Sequence, residues 1–391
     1  MDISVYDVLI IGGGPAGSSL SYSLLNAGLY NTGQEKTGLK IAIMDKAVFP
    51  RNKVCAGWVT PEVMRVLGID LTEYAKAQVL QKVSGFRISL LGQQQVENVY
   101  PGEPVSYGIR RVEFDNYLLQ RCGADLILGE AFEKMDRTGN GWLVNDKYEA
   151  KLVVGAGGHF CPVARAIGEK GVSELAVAAQ EVEFEMSVQQ KANCRIKKEV
   201  PELFFLPDLS GYGWVFRKGD YLNIGLGREN KSRLSAQVKD FCEYLSSLGK
   251  IPADITDKFN GHAYLLYSHS VRNMVADNVL LIGDSAGLAY DKSGEGIRPA
   301  VESAMLAADV IQSCDGDYSK EKLRAYNELM QQRFGQRLPG PDFMQRLPDF
   351  VKRAVASQLM KTHWFTKKIV IDKWFLQKDQ TQMPAIKGQL K

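Results

Sequence analysis

The stretch that most constrains the fold is the glycine-rich segment "YDVLIIGGGPAGSSLSYSLLNAG" near the start of the chain. Residues 8–11 form an apolar run typical of a buried parallel strand, and a helical pattern follows the glycines. The glycines have G-x-G-x-x-G spacing. The first permits a tight turn, the second lets a pyrophosphate approach the backbone, and the third lets helix pack on strand. The segment therefore predicts a phosphate-binding helix N-terminus. The residues predicted to form it are Gly12, Gly14, Pro15, Ala16 and Gly17.

A second apolar strand, "KIAIMDK", ends in an acid, Asp45, followed by Lys46. In dinucleotide-binding folds such an acid binds a ribose hydroxyl, about 20 residues after the glycines. The gap is longer here because the polar stretch 30–39 intervenes, and its composition predicts a surface loop insertion. We expect Asp45 to bind the ribose with Lys46 beside it. The alternative is a solvated loop acid.

Two later stretches, 148–165 and 278–311, each place glycines directly after an apolar strand. The second continues into a Gly-Glu-Gly turn and a long alanine-rich helix, whose N-terminal dipole would stabilise negative charge on a reduced flavin. Three such stretches in this order, each with its strand, predict FAD as the cofactor. The additional residues expected to bind it are Gly157, Gly283, Asp284, Gly294, Gly296 and Ile297.

These stretches resemble the geranylgeranyl-reductase branch of flavoproteins with the p-hydroxybenzoate-hydroxylase fold. "GDSAGLAYDKSGEGI" is similar to the branch motif Gly-Asp-x-Ala-Gly…Gly-Glu-Gly-Ile, with Asp291 where the family usually has Pro. "GAGGHFCPVAR" resembles Gly-Ala-Asp-Gly-x-x-Ser-x-Val-Arg, with Gly157 in place of Asp and Cys161 in place of Ser. In the hydroxylases that Asp helps to organise nicotinamide binding, so its replacement argues against direct use of NAD(P)H.

Two shorter stretches extend the resemblance. "FPRNKVCAGWVTP" is similar to the family's Pro-x-x-x-x-Cys-Gly-Gly, with Ala56 for the first Gly. The resemblance places Cys55 near flavin and substrate, where adjacent cations favour a thiolate. The alternative is a small buried hydrophobe. "RVEFDNYL" resembles an Arg-x-x-Phe-Asp-x-x-Leu helix whose Arg, here Arg111, lies near the flavin. The alternative for Arg111 is a surface ion pair with Asp115.

The stretch "YGWVFR" resembles the Tyr-x-Trp-x-Phe-Pro motif of geranylgeranyl reductases, with Arg217 at the Pro position. Its three aromatic residues have period two, so they share one side of a strand. The resemblance implies that they line a substrate cavity, whereas the alternative is an ordinary sheet core. The predicted catalytic residues are Cys55, Tyr212 and Trp214. The predicted substrate-binding residues are Trp58, Tyr212, Trp214 and Phe216.

Composition excludes several other classes of protein. The 391 residues are 45 % hydrophobic and 24 % charged with a net charge of +3, which is ordinary for a globular protein and argues against a nucleic-acid partner. Apolar runs are far shorter than the roughly 20 residues that span a bilayer, and no basic segment precedes the first strand. Six scattered cysteines and four isolated histidines predict neither disulfides nor a metal site. We therefore expect a cytoplasmic protein.

The predicted architecture is α/β, with an α+β insertion: a Rossmann-like FAD-binding domain that contains an inserted antiparallel substrate sheet, followed by a C-terminal helical segment. The predicted ranges are 1–75, 106–170 and 271–325 for the FAD-binding domain, 76–105 and 171–270 for the inserted sheet, and 326–391 for the helical segment. Residues 350–391 contain nine Lys or Arg interleaved with aromatics. This pattern predicts peripheral contact with an anionic membrane, or else a helix packed over the nucleotide domain.

The resemblance implies an FAD-dependent oxidoreductase that reduces C=C bonds of a hydrophobic, isoprenoid substrate by hydride transfer from reduced flavin. Its electron donor would be NAD(P)H or a redox protein. One alternative is an oxygen-using flavin monooxygenase or halogenase. A second is a non-catalytic electron-transfer flavoprotein that binds a lipid or quinone.

Overall fold

The computed structural model describes residues 3–26, 38–169, 174, 176–229, 232–255, 257–337 and 348–386. The strands are β1 (Ser4–Ile11), β2 (Ile41–Asp45), β3 (Trp58–Val59), β4 (Leu80–Val83), β5 (Gly85–Leu90), β6 (Val96–Val99), β7 (Ser106–Ile109), β8 (Asp125–Leu128), β9 (Met135–Arg137), β10 (Trp142–Val144), β11 (Tyr148–Gly155), β12 (Ala176–Glu185), β13 (Glu202–Phe205), β14 (Gly211–Lys218), β15 (Tyr221–Arg228), β16 (Asn260–Leu265), β17 (Val275–Ala276) and β18 (Val279–Leu281). Most of the predicted loop insertion at 30–39 lies outside the described residues.

The α-helices are α1 (Pro15–Asn26), α2 (Pro61–Val66), α3 (Leu71–Ala77), α4 (Arg111–Gln120), α5 (Pro162–Ala166), α6 (Val188–Asn193), α7 (Leu234–Ser247), α8 (Ile297–Ser313), α9 (Lys320–Leu323), α10 (Ala325–Phe334) and α11 (Asp349–Leu359). A π-helix, Phe365–Phe375, follows α11. None of the helices in the described part of the chain combines the length and apolar character needed to cross a membrane.

The first sheet is Rossmann-like, with strand order β17-β18-β11-β1-β2-β8 and with β10 and β9 extending from β11. The pairs β1–β11, β1–β2, β11–β18 and β2–β8 are parallel. Residues 8–11 of β1 are buried, because helices cover both faces of such a sheet. The glycine turn follows β1 at its carboxyl end, where open parallel sheets bind ligands.

The second sheet has seven strands in the order β16-β12-β15-β14-β13-β5-β6. Its described pairs are antiparallel except β13–β5. A small sheet, β3-β7-β4, packs directly on the second sheet. The two sheets are so close that a Cβ at Gly108 of β7 would lie 2.4 Å from the Phe216 ring of β14. Strand β7 ends directly before α4. The predicted fold class is confirmed.

The π-helix of the C-terminal segment packs over the second sheet, and the residue after it also contacts the nucleotide domain, where Arg298 of α8 donates to the Leu376 carbonyl at 3.3 Å. Ile371 of the π-helix is fully buried in a cluster with aromatic residues of the seven-stranded sheet. Asp372 accepts a hydrogen bond from the Tyr100 hydroxyl at 2.8 Å. Further on, the Ile386 amide donates to the carbonyl of Val66 in α2 at 2.7 Å. The end of the described chain therefore ties the sheet to the helices beside the first domain.

Candidate functional site

The three glycine stretches meet in one place. A Cβ at Gly12 would lie 2.4 Å from the carbonyl oxygen of Ala156, so the first turn runs against the turn after β11. A Cβ at Gly283 would lie 3.0 Å from Cβ of Ala16, which brings the third stretch against the start of α1. The amide of Gly158 also donates to the Ser285 hydroxyl at 3.1 Å. Segments far apart in sequence thus form a single surface.

Asp45 lies at the carboxyl end of β2, beside the glycine turn. One carboxylate oxygen accepts the Gly13 amide at 2.8 Å and the other accepts the Ala47 amide at 2.9 Å. The side chain is half-buried, whereas Lys46 is exposed. Asp45 therefore stands where a ribose-binding acid should stand, and it is held by backbone groups instead of being free in solvent.

At two glycines of this surface a Cβ would make only ordinary van der Waals contacts with the protein. A Cβ at Gly14 would come no closer than 3.5 Å to Arg51, and one at Gly296 no closer than 3.6 Å to Asp284. Gly296 caps the N-terminus of α8, and Ile297, the first residue of that helix, is buried. A glycine turn between β1 and α1, an acid at the end of β2 and a helix that begins at a glycine are the parts expected of an FAD site, so the residues present fit this cofactor.

A half-buried polar cluster borders this surface. Nζ of Lys53 lies 2.8 Å and 3.0 Å from the two ring nitrogens of His262, whose Nε2 is 3.8 Å from the Asp284 carboxylate. Burial lowers the pKa of Lys53 to about 8, with the charge of Arg111 acting in the same direction. Burial opposes ionisation of Asp284, but His262 and Lys53 outweigh it and lower its pKa. At neutral pH the carboxylate is therefore charged beside a cation that can release its proton.

Arg111 combines features of both expected roles. It forms a two-pronged pair with Asp115, both N···O distances being 2.7 Å, but the pair is buried and not on the surface as expected for the alternative. The electrostatic influence of Cys55 on Arg111 shows that the two side chains lie near each other. Cys55 itself is half-buried. The resemblance places a functional thiol at this position, and its use in catalysis stays a prediction.

The aromatic residues of β14 share one face, as predicted. Trp214 and Phe216 are buried, and Tyr212 is half-buried with its hydroxyl bonded to the carbonyl of Ser293. The π-helix covers this wall: the Phe375 ring lies 5.6 Å from Tyr212 and 5.5 Å from Trp58 between centroids. These five aromatic residues therefore come from three separate elements: β3, β14 and the π-helix.

Sequence reasoning missed several polar residues that the fold brings to the site. Glu181 and Asn223 bind the main chain of Cys55, and Glu295 lies between the two glycines of the third motif. The buried Glu295 has one carboxylate oxygen, Oε2, without a hydrogen-bond partner. Burial raises the pKa of Glu295 to about 7. The one available signal for Glu181 was an acid repeated on the inward face of a strand, "EVEFE".

Comparison with known proteins identifies the family of the chain. A family model described as an FAD binding domain matches residues 5–338. Digeranylgeranylglycerophospholipid reductase 3 of Methanosphaera stadtmanae is 28 % identical over 359 residues, which cover 86 % of this chain and 85 % of that protein. The menaquinone reductase of Mycobacterium tuberculosis is 26 % identical over 351 residues, 84 % of this chain and 80 % of that protein.

Solved structures show the same fold. A geranylgeranyl bacteriochlorophyll reductase-like protein from Thermoplasma acidophilum superposes with a TM-score of 0.73 at 21 % identity, covering 96 % of this chain and 99 % of that one. A halogenase in complex with FAD has a TM-score of 0.64 at 17 % identity, covering 84 % and 74 % of the two chains. The predicted cofactor and the resemblance to geranylgeranyl reductases are confirmed. The chain therefore belongs to the FAD binding domain family and is an FAD-dependent oxidoreductase of that family.

Proposed function

We propose that this protein reduces C=C bonds of an isoprenoid chain, with FAD as its redox cofactor. The observation that carries the proposal is the juxtaposition of an aromatic wall with the Cys55 segment: the Trp214 indole N–H donates to Asn223, which in turn donates to the Cys55 carbonyl. An apolar wall suits a long hydrocarbon chain, and a thiol can supply a proton. The names of the relatives, two of them reductases of polyprenyl-bearing lipids or quinones, support the same substrate class.

Reduction of an alkene adds a hydride to one carbon and a proton to the other, and reduced FAD supplies the hydride when bound. In this scheme Cys55 donates the proton from its thiol to the second carbon. The guanidinium of Arg111, which interacts electrostatically with Cys55, would stabilise the thiolate that remains. Trp58, Tyr212 and Phe375 hold the chain in place and exclude water from the reacting bond.

The electron donor is proposed to be a redox protein, with NAD(P)H as the alternative. Gly157 stands in the turn where the hydroxylases have an Asp that organises nicotinamide binding, and its position is exposed. A donor protein needs only an approach to the cofactor edge. Comparing flavin reduction by NADPH with reduction by a ferredoxin would decide between the two.

The C-terminal segment is proposed to rest on a membrane surface that holds the lipid substrate. None of the residues of α11 is buried, and Phe350 and Trp364 are 75 % and 65 % exposed. Lysines at 352 and 361 lie close to these rings in sequence. Exposed aromatics beside cations are the pattern of helices that lie on anionic bilayers.

The function is tested by incubating dithionite-reduced holoenzyme with polyprenyl lipids in the absence of oxygen and analysing the lipids by mass spectrometry. We expect the lipids to gain pairs of hydrogen atoms. The Cys55→Ser variant should retain FAD and react at least about tenfold more slowly, because a hydroxyl is a weaker acid than a thiol. Lipids unchanged without oxygen but oxygenated in air would contradict the proposal and favour a monooxygenase.

A further inference from the structure

The segment that carries Cys55 is held by a buried polar network on the seven-stranded sheet. The Cys55 amide donates to Oε1 of Glu181 at 2.9 Å. The side-chain amide of Asn223 donates to the Cys55 carbonyl at 3.1 Å and to Oε2 of Glu181 at 2.6 Å. Glu181 is 6 % exposed and Asn223 fully buried. Both main-chain polar groups of Cys55 are thus bound by side chains of β12 and β15.

Sheet register extends the network to the aromatic wall. Gly225 of β15 pairs with Glu181 on one side and with Trp214 on the other. A Cβ at Gly225 would lie 2.2 Å from the indole of Trp214, so the glycine lets that ring lie across the strand. The indole N–H then donates to Oδ1 of Asn223 at 2.7 Å. This bond fixes the orientation of Asn223, with its amide nitrogen toward Cys55 and Glu181.

A second hold lies one residue further along the segment. The ammonium of Lys218, fully buried, donates to the carbonyls of Ala56 at 3.1 Å and Ile109 at 3.0 Å. Lys218 is paired with Glu183, two residues after Glu181 on the same face of β12. The sheet therefore binds the segment at Cys55 and Ala56 through the buried charged side chains of Glu181 and Lys218.

We propose that Glu181 is a positioning residue for Cys55: its carboxylate locks the main chain of Cys55 to the sheet and so keeps the thiol against Arg111. The two groups bound to Glu181 are both N–H donors, so both oxygens must act as acceptors, which an ionised carboxylate provides. Protonation of either oxygen would weaken one of the two bonds. The inference rests on the proposed function only for the use that catalysis makes of Cys55.

The binding of the Cys55 main chain by Glu181 should depend on pH. The groups that face Glu181 are Cys55 and Asn223, the cation of Lys218 and the carboxylate of Glu183. Burial raises the pKa of Glu181 to about 7, although Cys55, Lys218 and Asn223 pull it down. Above that pH the carboxylate is ionised and the segment fully held, whereas below it protonation loosens the segment.

The test uses FAD-loaded protein and the variants Glu181→Ala and Glu181→Gln. Two measurements report on the segment directly: hydrogen exchange of the peptide covering residues 52–58, and the rate at which iodoacetamide labels Cys55, located by peptide mass spectrometry. We expect both rates to rise about tenfold in Glu181→Ala, since one or two buried hydrogen bonds are lost. Glu181→Gln keeps one hydrogen-bond acceptor and should show a smaller rise in both rates. In the wild type, hydrogen exchange should still depend on pH after correction for the intrinsic exchange rate of the amides, and Glu181→Gln should lose this dependence.

The matched control is Glu202→Gln. Glu202 is another fully buried carboxylate of the same sheet, but it pairs with Lys250 at 2.7 Å and with Arg87 at 3.2 Å. This variant should leave the Cys55 segment as in the wild type. Folded Glu181→Ala protein with unchanged exchange and labelling would overturn the proposal. Should Glu181→Ala fail to fold, unchanged exchange in Glu181→Gln would overturn it equally.

Both measurements are independent of substrate. Faster labelling in Glu181→Ala therefore supports the positioning role even in a wild-type enzyme that leaves polyprenyl lipids unreduced, a result that would sink only the proposed function. Labelling equal to the wild type, together with normal lipid reduction in both proteins, would sink only the positioning role.

Discussion

At the scale of single residues, the glycines of the first motif do different work. A Cβ at Gly17 would lie 2.0 Å from the carbonyl oxygen of Gly12, so protein packing alone requires this glycine. At Gly14 the nearest protein atom would be 3.5 Å away, an ordinary contact. Protein packing alone therefore does not require a glycine at position 14, and we propose that the approach of the pyrophosphate does.

This difference gives opposite expectations for two alanine variants. Gly17→Ala should destabilise the apoprotein by about 1–3 kcal/mol, as overpacking does. Gly14→Ala should leave apoprotein stability nearly unchanged but weaken FAD binding about tenfold or more, a loss of at least about 1.4 kcal/mol. Denaturant unfolding of apoprotein and FAD titration followed by flavin fluorescence separate the two effects. Equal FAD affinity in Gly14→Ala and wild type would contradict the placement of the pyrophosphate.

The buried acid Glu295 makes stability depend on pH. Its pKa is about 7 in the folded protein, against an ordinary value of 4.5, so between these values the folded state binds more protons than the unfolded state. Stability should therefore fall as pH rises from about 4.5 to 7, by roughly 3 kcal/mol from this residue. Glu295→Gln should remove that part of the slope in denaturant titrations of apoprotein at pH 5 and pH 8. Parallel profiles in variant and wild type would refute this.

At the scale of secondary-structure elements, substitutions of exposed aromatic residues in and just after α11 test membrane contact more specifically than deletion of the C-terminal segment. Removing everything after residue 348 would also remove the π-helix that covers the second sheet. The double variant Phe350→Ser and Trp364→Ser changes only exposed rings. It should float less with liposomes containing anionic lipid, while its free energy of unfolding stays within about 0.5 kcal/mol of the wild-type value. The matched control is Val188→Ser, an 83 % exposed apolar residue in α6. Equal flotation of all three proteins would argue against the membrane proposal.

The elements also show how far the sequence could go. Each glycine motif is a strand, turn and helix in consecutive residues, so its local pattern predicted both structure and cofactor. The period-two aromatics of β14 were predictable for the same reason. The bond between Cys55 and Glu181 spans 126 residues and depends on strand order and register, which no local pattern contains. The burial of the Arg111–Asp115 pair likewise depends on Cys55 and Arg51, which lie in another segment.

At the scale of the whole molecule, the C-terminal segment connects the second sheet to α2. The hydrogen bond of Asn98 to Thr366, 2.9 Å long and buried, and the fully buried Ile371 fasten it to the second sheet. Contacts of Met383 with Arg65 and Glu62 fasten it to α2. A segment anchored at both ends should unfold with the whole protein instead of fraying independently.

Ile371→Ala should therefore destabilise the entire protein by about 2–5 kcal/mol, the cost of a cavity in a packed core. Tryptophan fluorescence and FAD release should shift to lower denaturant together, although Ile371 lies outside the glycine motifs. Lys373→Ala, an exposed position in the same π-helix, controls for a local effect and should shift neither probe. If Ile371→Ala left the midpoint of FAD release at the wild-type value, the C-terminal segment would unfold independently of the cofactor domain, which would contradict this prediction.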